Sequence, residues 1–339
     1  MGNTRILING YGRIGRVLHR ILLSKNDKNL TIAAINSRSN ASSHAHLLKY
    51  DSTYGILNNK VRAGSDYITV DNNKIKVFTD KDPGEIDFKK EGIDLVVECT
   101  GKYRDRESCL KHIQVGAKKV VISAPGEGED ISIVLGVNHE NYRPKKHHIV
   151  SNASCTTNCL ALVIKVLEDN FGIACGQMTT IHALTLNQNL LDKSHSKDLR
   201  IARAAIDSFM PYKTGATKAI GAIFPKLNGK LDALSVRIPF NTVSLVDLVV
   251  WLKKKTTVDS INQAFVDASR KKMKNVLGIT FDPLVSIDFK GECRTGIIDG
   301  LSTKVVGGRL AKILAWYDNE WGYSCRLYDL IKMVSNTLN

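Results

Sequence analysis

Apolar residues are distributed in two different ways along this chain. Up to about residue 150 they form short, almost wholly apolar runs between polar turns: Arg5–Asn9, Leu30–Asn36, Asp94–Cys99, Lys119–Ser123 and then Ile131–Gly136. Runs of this kind fit strands of a parallel sheet covered on both faces. Between the first two, Arg13–Ser24 places Ile14, Val17, Leu18, Ile21 and Leu22 at helical spacing. Strands alternating with helices predict right-handed βαβ units in a Rossmann-type doubly wound parallel sheet, an α/β fold.

From about Ser151 the pattern changes. One helix runs from near Ser154 to about Asn170, and the strand-like stretches Gly176–Ala183, Ala233–Ile238, Val243–Leu252, Leu284–Asp288 and Thr295–Asp299 follow. They predict an α+β domain with a mainly antiparallel sheet. Leu184–Ala205 is long, polar, basic and aperiodic, and structured loops of that length are usually functional. Arg326–Leu338 reads as a closing amphipathic helix.

A length of 339 residues suits two domains. Lys and Arg total 48 against 33 Asp and Glu, a formal charge of +15 that favours anionic partners. The basic runs Lys118-Lys119, Arg143–His148, Lys253–Lys255 and Arg270–Lys274 are dispersed beside turns or on helices and read as solvated surface. With no zinc-finger spacing and no aromatic RNA-binding signature, nucleic acid is disfavoured. Seven scattered cysteines without a CxxC pair argue against a disulfide framework or zinc site and for a reducing compartment. No apolar run approaches the roughly 18 residues that span a bilayer, so no membrane association is expected. Met1–Thr4 leads directly into a strand, leaving no room for a signal peptide. Ile6 stands where a myristoylated Gly2 would require Ser or Thr. The expected location is cytoplasmic.

Gly10, Gly12 and Gly15 form a GxGxxG that follows a strand and opens a helix. The first glycine allows a tight turn, the second lets backbone approach a pyrophosphate, and the third lets helix and strand pack closely. Free N–H groups at the helix start then hold the anion. The second strand ends in Asn36-Ser37-Arg38, without the carboxylate that normally binds the ribose 2′-hydroxyl. Ser37 and Arg38 can instead hold a 2′-phosphate, so the cofactor is NADP and/or NAD.

Cys155 lies in the predicted first turn of a helix, where the dipole and free N–H groups favour a thiolate. Cys159, one turn on, is the better candidate for an inert thiol. His182, at the end of a predicted strand, is the candidate base beside Cys155. His44 with His46, or His147 with His148, lacks the further ligands a metal needs, and no metal is assigned.

SNASCTTNCL at Ser151–Leu160 resembles the active-site signature of phosphorylating glyceraldehyde-3-phosphate dehydrogenases. The resemblance extends in family order through INGYGRIGR near the start, KYDSTYG at Lys49–Gly55, ECTGKY at Glu98–Tyr103 and ISAP at Ile122–Pro125. It continues through TTIHA at Thr179–Ala183, LNGKL at Leu227–Leu231, SLVDL at Ser244–Leu248 and WYDNEWGYS at Trp316–Ser324. It implies a thioester on Cys155, with His182 as base, between glyceraldehyde 3-phosphate, inorganic phosphate and 1,3-bisphosphoglycerate. By the same resemblance Thr185 and Arg237 hold the substrate phosphate, and Ser154, Thr156, Thr214 and Gly215 hold inorganic phosphate. Arg13, Ile14, Thr100 and Ser123 touch the dinucleotide, and Asn319 orients the nicotinamide with Tyr323 nearby. It implies a dinucleotide-binding domain over residues 1–153, with a C-terminal helix in 318–339 packing back onto it. A catalytic domain over 154–317 and a homotetramer complete the picture, the Leu184–Ala205 loop lying near a neighbour's cofactor.

Departures from the family pattern are informative. Ser37 replaces the usual acidic residue and Ser194 replaces a proline, and both resemble NADP-using or dual-cofactor branches. The loop Ser194-His195-Ser196-Lys197-Asp198 is one residue longer than usual. Asn187, Tyr212-Lys213 and Phe240-Asn241-Thr242 differ around the phosphate sites. Erythrose-4-phosphate dehydrogenase is the nearest alternative, disfavoured by Thr185 and by Thr214-Gly215. An inactive scaffold binding nucleic acid or other anions is the alternative from another class. The charge motivates it, and Cys155, His182 and Arg237 oppose it.

Overall fold

Side chains on both faces of β1 (Thr4–Asn9) are buried, Ile6, Leu7 and Ile8 completely, so this strand needs cover on both sides. The computed structural model describes residues 3–79, 81–195 and 198–338; Gly2, Ser196 and Lys197 fall outside them. After β1 come α1 (Arg13–Lys25), β2 (Leu30–Ser37), α2 (Ala41–Lys49) and the short pair β3 (Tyr50–Asp51) and β4 (Gly55–Ile56). They are followed by β5 (Val61–Ala63), β6 (Tyr67–Val70), β7 (Asn73–Thr79), α3 (Phe88–Glu91) and β8 (Leu95–Glu98). Then come α4 (Arg106–Gln114), β9 (Lys119–Ile122), β10 (Ile131–Ser132) and β11 (Ile149–Ser151).

Nine strands form one sheet in the order β10-β11-β9-β8-β1-β2-β7-β6-β5. All pairs from β10 to β7 are parallel, and β6 and β5 extend the edge antiparallel. The strand order reverses at β1, and ligands of open α/β sheets bind at such a switch point.

The second sheet draws on β12 (Ile173–His182), β13 (Met210–Tyr212), β14 (Leu231–Arg237), β15 (Ser244–Leu252), β16 (Leu277–Thr280), β17 (Gly296–Asp299), β18 (Lys304–Val306) and β19 (Leu310–Tyr317). Its order is β13-β14-β12-β15-β19-β17-β16, with β18 beside β19. Most pairs are antiparallel, but β12–β14 and β16–β17 are parallel. The helices are α5 (Cys155–Phe171), α6 (Ala216–Ile223), α7 (Val258–Arg270) and α8 (Trp321–Ser335). The chain divides into two compact units. One holds the residues up to Ile133, Asn138–Ala153 and Ser324 onward; the other holds Val134–Val137 and Ser154–Tyr323. From Ser324 on, α8 is tied within the first unit by Tyr328 Oη and Lys332 Nζ, 3.0 and 2.8 Å from Asp27 Oδ2.

Four sequence expectations need correction. Leu284–Asp288 is not a strand: after Pro283 the chain makes a 3-10 turn over Ser286–Phe289, with Asp288 Oδ2 accepting from Val285 N–H at 2.8 Å. The strand-like composition there was outweighed by a proline and a side chain that bonds local backbone. Ile131–Gly136 is a strand only over Ile131–Ser132; Val137 N–H turns back to Val134 O at 3.0 Å, and Gly136 adopts φ +85°. The closing helix starts at Trp321 rather than Arg326, because Asp318 Oδ1 accepts from Glu320 and Trp321 N–H at 3.0 and 2.9 Å. Lys119 is buried rather than solvated, its Nζ donating to the carbonyls of Pro144 and His147.

Candidate active site

The turn before Cys155 is tight. Ala153 takes φ +52°, a left-handed conformation, and Ser154 follows as N-cap of α5, its Oγ accepting from Thr157 N–H at 3.0 Å. Asn158 Nδ2 also donates to Ser154 O at 3.0 Å. This places Cys155 as the first residue of a 17-residue helix, where unpaired N–H groups and the dipole favour negative charge. Burial pushes the thiol pKa up, while Arg237 and the Thr156 hydroxyl and amide pull it back. Cys159 has no exposed surface and burial raises its pKa strongly, as befits an inert thiol.

Cys155 Sγ lies 3.4 Å from His182 Nε2. His182 ends β12, and in the parallel ladder it shares a rung with Arg237, which ends β14. Arg237 Nη1 is 2.5 Å from His182 Nδ1 and donates to Ala183 O at 3.1 Å; His182 Nδ1 itself lies 2.7 Å from that oxygen. Burial, reinforced by Arg237, lowers the imidazole pKa to about 3, so His182 is neutral at physiological pH. Two tautomers compete. When Nδ1 carries the proton it donates to Ala183 O and Nε2 offers its lone pair to the thiol. When Arg237 donates to Nδ1, the proton sits on Nε2.

The guanidinium of Arg237 also stands over the Tyr212 ring, 5.3 Å from its centroid, and its buried Nε has no hydrogen-bond partner. An orphaned donor on a half-buried cation fits an incoming oxyanion. Tyr212, a departure from the family pattern, therefore packs on the phosphate-binding candidate.

The remaining sequence-selected residues of this unit are held individually. Thr185 is exposed, and its N–H and hydroxyl both donate to Gln188 Oε1 at 2.8 Å. Thr214 Oγ1 accepts from Ala216 N–H at 3.2 Å, and Gly215 caps α6 with open space where a Cβ would point. Asn319 Oδ1 accepts from Ser244 Oγ at 2.9 Å, and Ser244 Oγ in turn accepts from Ala183 N–H at 3.1 Å. Tyr323 is buried and Ser194 is exposed on its loop.

The cofactor candidates of the other unit gather at the carboxyl ends of its parallel strands. Gly10 has φ +92°, and a Cβ there would come within 2.6 Å of Cys99 and Thr100 backbone; one on Gly15 would come within 2.5 Å of Gly10 O. Gly12, the N-cap of α1, faces open space. Two glycines are thus sterically required and the third leaves room for a pyrophosphate, so these residues fit a dinucleotide. Ile14 lies in the first turn of α1, and Arg13 beside it pairs with Asp51 at 2.6 Å. Buried Glu98 accepts from Thr100 N–H at 2.8 Å and Asn9 Nδ2 at 2.6 Å, and its carbonyl accepts from Ser123 N–H at 2.9 Å. Ser37 closes β2, and Arg38 follows it, exposed.

Comparison with known proteins adds the decisive observation. Residues 4–106 match the glyceraldehyde 3-phosphate dehydrogenase NAD binding domain, and residues 154–319 match the C-terminal domain of the same family. The chain belongs to the glyceraldehyde-3-phosphate dehydrogenase family. It is 46% identical over 331 residues to glyceraldehyde-3-phosphate dehydrogenase 2 of Bacillus subtilis, covering 98% of this chain and 96% of that one. It is 46% identical to glyceraldehyde-3-phosphate dehydrogenase of Geobacillus stearothermophilus, covering 98% of each chain. Against glyceraldehyde-3-phosphate dehydrogenase 2 of Streptomyces avermitilis identity is 48%, over 98% of this chain and 99% of that one.

Within this glyceraldehyde-3-phosphate dehydrogenase fold, four buried side chains escaped the sequence reading. Ser244 links the backbone beyond His182 to Asn319, and Gln188 fixes Thr185. Asp318 binds Thr242 Oγ1 at 2.8 Å and Gly291 N–H at 2.9 Å besides capping α8. Tyr317 reaches two threonines of the site. Tyr317 and Asp318 stand beside Asn319 in WYDNEWGYS, so the motif marked the place without their roles.

Proposed function

We propose that this chain is an NAD(P)-dependent phosphorylating glyceraldehyde-3-phosphate dehydrogenase. It interconverts glyceraldehyde 3-phosphate and inorganic phosphate, on one side, with 1,3-bisphosphoglycerate on the other, the nicotinamide taking up or returning a hydride. The observation that carries the mechanism is the 3.4 Å approach of the Cys155 thiol, at a helix start, to His182 Nε2. Cys155 Sγ gives its proton to His182 Nε2 and attacks the aldehyde carbon; the C–S bond forms, the carbonyl π bond opens, and the proton passes on to the oxygen of the resulting hemithioacetal. His182 Nε2 takes the hydroxyl proton, while its Nδ1–H is held by Ala183 O. NAD or NADP, held at the Gly10–Gly15 turn, would supply the acceptor for the hydride that leaves the same carbon. The product is a thioester on Cys155. Phosphate oxygen then attacks the thioester carbon, the C–S bond breaks, and the thiolate returns as acyl phosphate departs. His182 and the Cys155 N–H stabilise the developing oxyanion.

Arg237, with its orphaned buried Nε, and Thr185 hold the substrate's phosphate. Ser154, Thr156, Thr214 and Gly215 hold inorganic phosphate, and Asn319, anchored by Ser244, orients the nicotinamide amide. Residues 1–153 with the helix in 318–339 bind the dinucleotide, and 154–317 carry the chemistry. Gly10, Gly12, Arg13, Ile14, Gly15, Thr100 and Ser123 line the cofactor, with Ser37, Arg38 and Ser194 admitting a 2′-phosphate. The protein works in the cytoplasm as a homotetramer. Leu186, Leu190, Leu191, Leu199 and Phe209 are each at least 67% exposed, an apolar surface along one segment that a second copy would cover.

The deciding assay mixes purified protein with glyceraldehyde 3-phosphate, phosphate and either cofactor, and follows formation of reduced nicotinamide. Turnover that depends on phosphate is expected. Silence with both cofactors overturns the reading, and faster turnover of erythrose 4-phosphate reassigns the substrate.

A further inference from the structure

Tyr317, the last residue of β19, is 1% exposed and makes two hydroxyl contacts. Its Oη lies 3.0 Å from Thr156 Oγ1 and 2.8 Å from Thr180 Oγ1. Thr156 follows Cys155 on α5; Thr180 precedes His182 by two residues on β12. The Tyr317 ring also meets the His182 imidazole edge-on, with centroids 6.0 Å apart. Thr156 is 4% exposed and Thr180 1%, so water does not compete for these hydroxyls.

We infer that Tyr317 is a positioning residue: it turns the Thr156 hydroxyl toward the Cys155 sulfur and ties the start of α5 to the strand carrying His182. The inference rests on the thiolate chemistry proposed above. Each hydroxyl has one proton to give. Thr156 adjoins Cys155 at the start of α5, and a proton turned from its hydroxyl to the sulfur favours the thiolate, in line with the lowering this hydroxyl exerts on the thiol pKa. Thr156 Oγ1 must then accept from Tyr317, and Tyr317 Oη must accept from Thr180. The hydroxyl protons run in one direction, from Thr180 through Tyr317 and Thr156 to sulfur. Burial raises the phenol pKa, so Tyr317 keeps the proton that this order needs. Aligned donors in a water-poor interior strengthen one another.

The test measures the pH dependence of Cys155 alkylation by iodoacetamide on the full chain without substrate, located by peptide mass spectrometry. Tyr317→Phe keeps the ring and removes the hydroxyl. Its alkylation is expected to be roughly tenfold slower near neutral pH and to converge with wild type at alkaline pH. Thr156→Val is expected to do the same, and adding Tyr317→Phe to it should change nothing further. An unmoved pH midpoint in folded Tyr317→Phe overturns the inference, as does a full additional shift in the Thr156→Val background. Should Tyr317→Phe fail to fold, Thr180→Val tests the far end: a smaller shift of the same sign supports the relay, and none overturns it. Thr180→Ser, which keeps the hydroxyl, should restore the wild-type profile. Alkylation reads the thiol without turnover, so a wild type inactive on glyceraldehyde 3-phosphate would count against the proposed reaction and leave this result separate.

Discussion

Arg237 Nη1 stands 2.5 Å from His182 Nδ1, on the ring nitrogen opposite the thiol. The guanidinium both disfavours protonation of the imidazole and competes for the tautomer that frees Nε2 as a base. Without that contact Nδ1–H is left to Ala183 O, the arrangement the proposed mechanism uses.

Arg237→Leu should therefore act in two ways. The pKa of His182 rises from about 3 because a repelling charge is gone, visible by NMR titration of the imidazole. At the same time KM for glyceraldehyde 3-phosphate rises about 10- to 100-fold, the usual worth of a charge-assisted hydrogen bond.

Cys155→Ala should give no acyl-enzyme by intact-mass spectrometry on mixing with substrate and cofactor. His182→Asn should still acylate, with the step slowed about 10²- to 10⁴-fold as expected for loss of a general base. Rapid-mixing kinetics separate the two.

Ser37→Asp places a carboxylate at the end of β2. It should reduce kcat/KM with NADP by about 10- to 100-fold through repulsion of the 2′-phosphate, with little loss for NAD. Steady-state rates with both cofactors check this.

Acid should destabilise the protein before its carboxylates titrate fully. His182 and His19 are both buried, and both have native pKa values lowered from 6.5 to about 3. The unfolded chain binds these protons below pH 6.5 and the native chain does not, so stability falls as pH drops from 6.5 towards 3. Each contributes on the order of 1 kcal/mol per pH unit within that window. Urea midpoints at stepped pH values measure the slope; His19→Asn should flatten it.

The sequence made much of this legible because the relevant signals are local. The apolar runs of β1 and β2, the glycines between β1 and α1, and Cys155 at a helix start each declare themselves within a few residues. Ser244 and Tyr317 do not, since their roles depend on which strand ends meet. Tyr317 faces Ser244 across the β15–β19 ladder, and no spacing in the sequence reveals that pairing. Lys119 misled for a related reason: its charge suggested solvent, whereas carbonyls of a distant turn enclose its ammonium. Leu284–Asp288 misled because strand-like composition alone takes no account of Pro283 before it.

His182 and Arg237 meet because they occupy one rung of a parallel ladder, with 54 residues of chain between them. Inserting one residue within β12 or β14 would send one of the two side chains to the opposite face and dismantle the site. Lengthening the connection between those strands leaves the rung untouched and adds only a slowly growing loop entropy. Length changes are therefore tolerated best in connections such as the one around Ser194. Along that connection the chain can lengthen or change its surface without disturbing the pairing of imidazole and guanidinium.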